Sequence, residues 1–130
     1  MIVDTSALAA ILLSEADADE IGDTLTRSLG SLSISSAVFL ELGLLADNPT
    51  KFCTENDVDM LLAELQIEVV PITEAQARLA RVAHTRFGRW SRSPAKLNFG
   101  DCFSYALARD RDEPLLFKGD DFGHTDVRSA

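Results

Sequence analysis

The feature that most restricts how this chain can fold is a set of four short apolar runs, each separated from the next by a pair of helical patterns. The runs are Ile2-Val3, Ser31-Leu32-Ser33-Ile34-Ser35, Glu68-Val69-Val70-Pro71-Ile72 and Leu115-Leu116-Phe117. All are too short for helices. The second alternates with period two, and the third is closed by proline. Strands kept apart by helical crossovers pair in parallel, with helices on both faces of the sheet. The predicted order is β-α-α-β-α-α-β-α-α-β, an α/β fold. At 130 residues with 46% hydrophobic side chains, the expectation is one domain spanning 1–130, with a sizeable core. No apolar run approaches the ~20 residues of a membrane span. Asp4 arrives too early for a signal peptide.

The helical segments carry their own start and stop signals. Thr5 or Ser6 caps a first helix through Ala7, Leu8, Ile11 and Leu12. A second runs from Glu15 to Arg27 with Ile21, Leu25 and Leu29 inward, and Gly30 stops it. Ser36 caps a third containing Val38, Leu42 and Leu45, and Thr54 or Asn56 starts a fourth with Val58, Leu61, Leu62 and Leu65. Thr73-Glu74-Ala75-Gln76 is a capping box that opens a fifth, ended by Gly88. Asn98 caps a sixth, in which Phe99, Phe103, Ala106 and Leu107 follow the spacing of a buried stripe. The tail through Val127 offers either a short edge strand or a surface segment.

Four acidic positions lie at the ends of these elements or one turn inside a helix. Asp4 follows the first strand, and Asp120-Asp121 follows the fourth. Asp101 opens the sixth helix, and Glu41 stands alone among Phe39, Leu40, Leu42 and Leu44 in the third. Each has an ordinary reading, as a cap, a dipole partner or a solvated side chain. Ligands in open parallel sheets gather at the carboxyl ends of strands, so one sheet edge could collect all four. Carboxylates brought together need a cation, and an all-oxygen set suits Mg²⁺ or Mn²⁺. Such an ion activates water and neutralises phosphate, which is the chemistry of phosphodiester hydrolysis. Other catalytic kits are missing: no GxSxG elbow, Walker A loop, GxGxxG or HExxH occurs. Cys53 and Cys102 fit neither a disulfide framework nor a zinc site, and read as buried thiols.

The net charge of −9 is uneven: residues 1–77 hold 14 acidic and 2 basic side chains, residues 78–130 hold 7 and 10. Arg78, Arg81, Arg86, Arg89, Arg92 and Lys96 follow one another with no acid between them. This local basic segment, with Trp90 inside it, is compatible with nucleic acid even in an acidic chain.

The blocks Ile2-Val3-Asp4-Thr5-Ser6-Ala7-Leu8, Ser35 through Glu41-Leu42, Phe87-Gly88-Arg89 with Pro94 through Ala108, and Leu115 through Phe122 with Thr125-Asp126-Val127 stand in the order and spacing of a known family. The chain resembles the VapC-type toxins of the PIN-domain ribonucleases over nearly its whole length. The resemblance implies a PIN-like α/β/α sandwich on a short parallel sheet of four to five strands. It implies Asp4, Glu41 and Asp101 as metal-site acids, with Mg²⁺ the usual ion and Mn²⁺ a substitute. The fourth acid falls at the Asp120-Asp121 pair, where Asp120, nearer the strand, is favoured. The implied activity is metal-dependent endoribonuclease action by the toxin of a type II toxin–antitoxin system. The implied partners are RNA, a cognate VapB-type antitoxin and a second copy of the chain, in the cytoplasm. Arg86, Arg89, Arg92 and Lys96 are the candidate RNA contacts. The loop Arg89-Trp90-Ser91-Arg92-Ser93 departs from the Gly and His expected in the family, which bears on substrate choice. Two other readings stay open: a non-catalytic PIN interaction module, and a phosphoaspartate-type α/β protein using Asp4 and Lys118.

Overall fold

A computed structural model describes residues 1–130. In chain order the elements are β1 (Ile2–Val3), α1 (Thr5–Leu12), α2 (Ala18–Thr26), β2 (Ser33–Ser35), α3 (Ser36–Ala46), α4 (Glu55–Glu64), β3 (Glu68–Val70), α5 (Glu74–Phe87), α6 (Asp101–Arg111) and β4 (Leu115–Leu116), followed by a 3-10 turn at Phe122–His124. The four strands are all parallel, in the order β3-β2-β1-β4. The tail adds one bridge, Leu115 to Ser129, rather than a fifth strand.

The layers follow from the two-residue period of the strands. Ile2 and Leu115 point into one core with Ala83, Phe87, Leu97 and Leu107 of the α5–α6 layer. Val3, Ile34 and Leu116 point into the other, with Leu8, Leu25, Val38, Leu42 and Leu62 from α1 to α4. Adjacent residues of one strand thus serve opposite faces, which is why both must be apolar. Burial of all three β2 residues, Ser33 and Ser35 included, has the same cause.

Several helix starts differ from expectation in detail. Both capping boxes form, Thr54 with Asp57 and Thr73 with Gln76. The cap of α1 is Asp4 rather than Thr5 or Ser6: its carboxylate accepts the Ser6 N–H at 2.9 Å. The cap of α3 is Ser35 rather than Ser36. The second helix begins at Ala18, three residues later than Glu15, and Leu29 beyond its end is exposed. Phe99 is 80% exposed, because α6 begins at Asp101 and leaves it in the preceding loop. Asn98 still caps from there: its Oδ1 accepts the Asp101 N–H at 3.0 Å.

Sequential strands β1, β2 and β3 step one way across the sheet, and β4 is then placed on the other side of β1. The strand order therefore reverses between β1 and β4. This is the crevice where parallel sheets bind ligands, and Asp4 stands at its mouth, its N–H bonded to Leu116 O at 2.9 Å.

Candidate active site

Asp4 is 2% exposed, a charge that must be met by donors. Its Oδ2 accepts from the Ser6 N–H and from Ser6 Oγ at 2.6 Å, and its Oδ1 accepts from Ser104 Oγ, also at 2.6 Å. Ser104 is fully buried and lies one helical turn after Asp101 on the same face of α6. Sequence reading passed over Ser104. Its signal was a hydroxyl three residues from a candidate acid on a helix whose other inward positions are apolar.

Glu41 reaches the same region from α3. Its carboxylate accepts a hydrogen bond from Thr5 Oγ1, at the start of α1. It also lies directly against Gly100: a Cβ built there would fall 1.9 Å from Glu41 Oε1. Gly100 is needed for this close approach, not for an unusual backbone angle, since its φ is −67°. The colliding atoms end a flexible side chain, so Gly100→Ala should push Glu41 aside and leave the fold intact. For the ribonuclease that the resemblance implies, with Glu41 among its site acids, we expect roughly 100-fold weaker cleavage of RNA, the scale of a misplaced group at a reacting centre, with a melting temperature close to that of the wild type. Activity near wild type would mean that the position of Glu41 is immaterial.

Asp101 completes the group. Its Oδ2 accepts the Asn98 N–H at 2.7 Å, reciprocating the cap. Burial pushes its pKa up to about 6 against that hydrogen bond, and the charges of Asp4, Asp121 and Glu41 push in the same direction as burial. Glu41 is raised as well, first by burial and then by Asp4, with the Thr5 hydrogen bond opposing. Glu41 therefore senses Asp4, and Asp101 senses Asp4, Glu41 and Asp121. No three of them are drawn into a closed ligand cluster; Asp4, Glu41 and Asp101 are each held by a hydroxyl or an amide.

Of the Asp120-Asp121 pair, both exposed, Asp121 is the one whose charge bears on Asp101, and Asp120 is not. Proximity to the strand end favoured Asp120, but Gly119 turns the chain there with φ +95°, carrying the next residues round. The segment is fastened from its other side. The Lys118 N–H donates to Ser6 Oγ at 3.0 Å, and Lys118 Nζ pairs with Glu15 and, at 2.7 Å, with Asp17. Hence Lys118 braces the loop and does not face Asp4 as a phosphoaspartate site would require.

The four candidate RNA contacts differ in availability. Arg86 is bound to Asp126 at 3.0 Å and rests over the Phe87 ring, and Lys96 Nζ donates to Ser91 O at 2.9 Å. Arg89 and Arg92 are exposed and make no ion pair within the chain. Trp90 beside them is exposed rather than packed.

A parallel sheet with carboxylates gathered at its switch point is an architecture of acid-lined hydrolases. The PIN-domain model matches residues 1–128, and the chain belongs to the PIN-domain family, in its VapC branch. It is 52% identical to Ribonuclease VapC28 of Mycobacterium tuberculosis over all 130 residues, covering 97% of that protein. It is 44% identical to Ribonuclease VapC42 of the same species, covering 98%. Among solved structures, the sarcin–ricin-loop-cleaving toxin VapC20 of M. tuberculosis superposes with a TM-score of 0.76 at 18% identity, over 99% of this chain and 97% of that one. VapBC2 from Rickettsia felis, bound to promoter DNA, gives 0.73 at 14% identity, over 99% and 96%. These last two likenesses establish the fold, and the four-stranded α/β/α arrangement agrees with them.

Proposed function

We propose that this chain is a divalent-cation-dependent endoribonuclease, the toxin of a toxin–antitoxin pair, acting as one PIN domain in the cytoplasm. The observation that carries this is the convergence of acids on Asp101 at the β1/β4 switch point, where the charges of Asp4, Glu41 and Asp121 all bear on its carboxyl. Ribonuclease relatives at up to 52% identity support it. Asp101 and Glu41, both raised by burial and by neighbouring carboxylates, stand where positive charge is lacking. Their donors are all oxygen, and Cys102, the nearest thiol in sequence, is buried and bonded to Asn98 O. This set fits Mg²⁺ or Mn²⁺ rather than zinc. Asp4, Glu41, Asp101 and Asp121 would hold the ion, with Asp121 preferred to Asp120. When bound, the cation supplies water activation and neutralises charge on the scissile phosphate.

The chain's own groups do the rest. Ser6 and Ser104 fix both oxygens of Asp4, so it cannot rotate away. Thr5 holds Glu41 over Gly100, and the Asn98 amide aims Asp101 from the start of α6. Arg89 and Arg92, exposed and free of internal partners, are available to RNA phosphates or to an acidic partner. An antitoxin of VapB type and a second copy of the chain belong to the same proposal. Phe39, Leu40 and Leu44, exposed along α3, supply apolar surface for such contacts. No helix is long and apolar enough to cross a membrane.

Expression in a bacterial host tests the function. The wild-type chain should arrest growth and generate new RNA 5′ ends at defined positions. The Asp4→Asn variant, produced at the same level, should do neither. Arrest by both, without new ends, would favour a non-catalytic interaction module.

A further inference from the structure

Beside Asp101 lies a groove of about 490 Å³ between α5 and the start of α6, in the size range of small-ligand sites. Ala77, Ala80 and Phe103 give it an apolar floor, and Phe99 stands at its rim. Phe99 is 80% exposed, held edge-on by Phe103 with ring centroids 5.1 Å apart. That contact fixes the ring and leaves most of its surface to solvent, where an aromatic side chain has no structural reason to be.

No acidic residue lines the groove: Arg81 and His84 do, and it continues along α5 past Arg78 and Arg86, again with no acid in the lining. In a chain of net charge −9 this is a local reversal. Arg78 is tied to Glu74 and Arg86 to Asp126, but Arg81 makes no ion pair. An apolar slot with a free aromatic face and an unpaired guanidinium at its edge matches a nucleotide: base on the ring, phosphate on the cation.

We propose that this groove is a base-binding subsite of the ribonuclease, in which an unpaired nucleotide flanking the scissile phosphate stacks on Phe99 while Arg81 holds an adjacent phosphate. This rests on the ribonuclease reading and deepens it. Bases within an A-form duplex cannot reach such a slot, so the subsite selects loops and single strands. It differs from the Arg89–Arg92 segment, which offers charge and no cavity.

Binding in EDTA, where RNA would stay intact, separates this subsite from catalysis. The probe is a labelled single-stranded RNA oligonucleotide of mixed sequence, read by fluorescence anisotropy. Phe99→Ala should weaken binding roughly tenfold, and Phe99→Trp should restore it. The same backbone carrying abasic sites should bind wild type and Phe99→Ala equally. Arg81→Gln should lower the salt dependence by about one unit of slope. If the wild type cuts RNA in Mg²⁺ yet Phe99→Ala binds RNA unchanged, the subsite is overturned and the ribonuclease reading stands. If Phe99→Ala loses affinity only for a co-purifying acidic protein partner, the groove is a protein seat and the proposal falls. A wild type that neither binds nor cuts RNA overturns both.

Discussion

Replacing Asp101 by Asn should lower RNA cleavage by at least ~100-fold, the order lost when a positioned electrostatic group is removed from a transition state. Asn keeps the shape of Asp and can still accept the Asn98 N–H, so the α6 start survives. What it removes is one negative charge from a group of acids that already repel one another. Asp4→Asn should be as damaging to activity, and more damaging to the fold. Its two oxygens accept three hydrogen bonds, which a neutral amide weakens, and the amide must turn its NH₂ to the Ser104 hydroxyl, which can accept it, because the Ser6 N–H can only donate. The two variants therefore differ in melting temperature while agreeing in activity. Cleavage assays run beside thermal melts distinguish this from general unfolding. Retained activity in either variant would remove that residue from the site.

The second large effect is on stability in the absence of divalent cations. The pKa of Asp101 lies at about 6 in the folded chain, above its unfolded value of about 3.9. The folded state therefore holds its proton more tightly than the unfolded state. Stability from this group is greatest below about pH 4 and falls as pH rises towards about 6, where Asp101 ionises among other acids. The Glu41 shift has the same sign. A shift of this size corresponds to about 3 kcal/mol, which partial exposure of the site reduces to roughly 1–2 kcal/mol. Near neutral pH in EDTA, Asp101→Asn should thus melt several degrees above the wild type, at roughly 3–6 °C per kcal/mol for a chain of this size. Near pH 4 the two should coincide. Saturating Mg²⁺ or Mn²⁺ should reverse the order at neutral pH, because binding stabilises the wild type by roughly 2–3 kcal/mol at a hundredfold excess over Kd. Melting curves that are independent of cation would contradict the metal site, whatever the activity.

Local signals carried most of the fold. Capping boxes at Thr54 and Thr73 and the apolar pairs Ile2-Val3 and Leu115-Leu116 are readable because their partners lie within a few residues. The site was legible only as a set of acids at element ends. The groups that orient those acids were not, since the relevant pairs are remote in sequence. Ser104 bonds to Asp4 across 100 positions and Thr5 to Glu41 across 36, and no periodicity encodes either. The same holds for Gly100, whose need for a missing side chain comes entirely from Glu41. A capping role for Asp4 looks redundant in the sequence because Thr5 and Ser6 beside it are equally good capping residues by type. Asp120 is the nearer to the strand end, but the turn at Gly119 and the bearing of Asp121 on Asp101 are why the proposed site takes Asp121 instead. Phe99 fitted the α6 stripe by spacing, yet a start at Asp101 put it outside the helix.

The central claim is that the coupled carboxylates hold a divalent cation and that RNA is cut there. It is tested most directly by incubating the purified chain with RNA in EDTA, then adding Mg²⁺ or Mn²⁺, and following cleavage in wild type and Asp101→Asn. The expected result is no cleavage in EDTA, cleavage at defined positions once either cation is present, and none from the variant. Full cleavage in EDTA, or equal cleavage by Asp101→Asn, would contradict it.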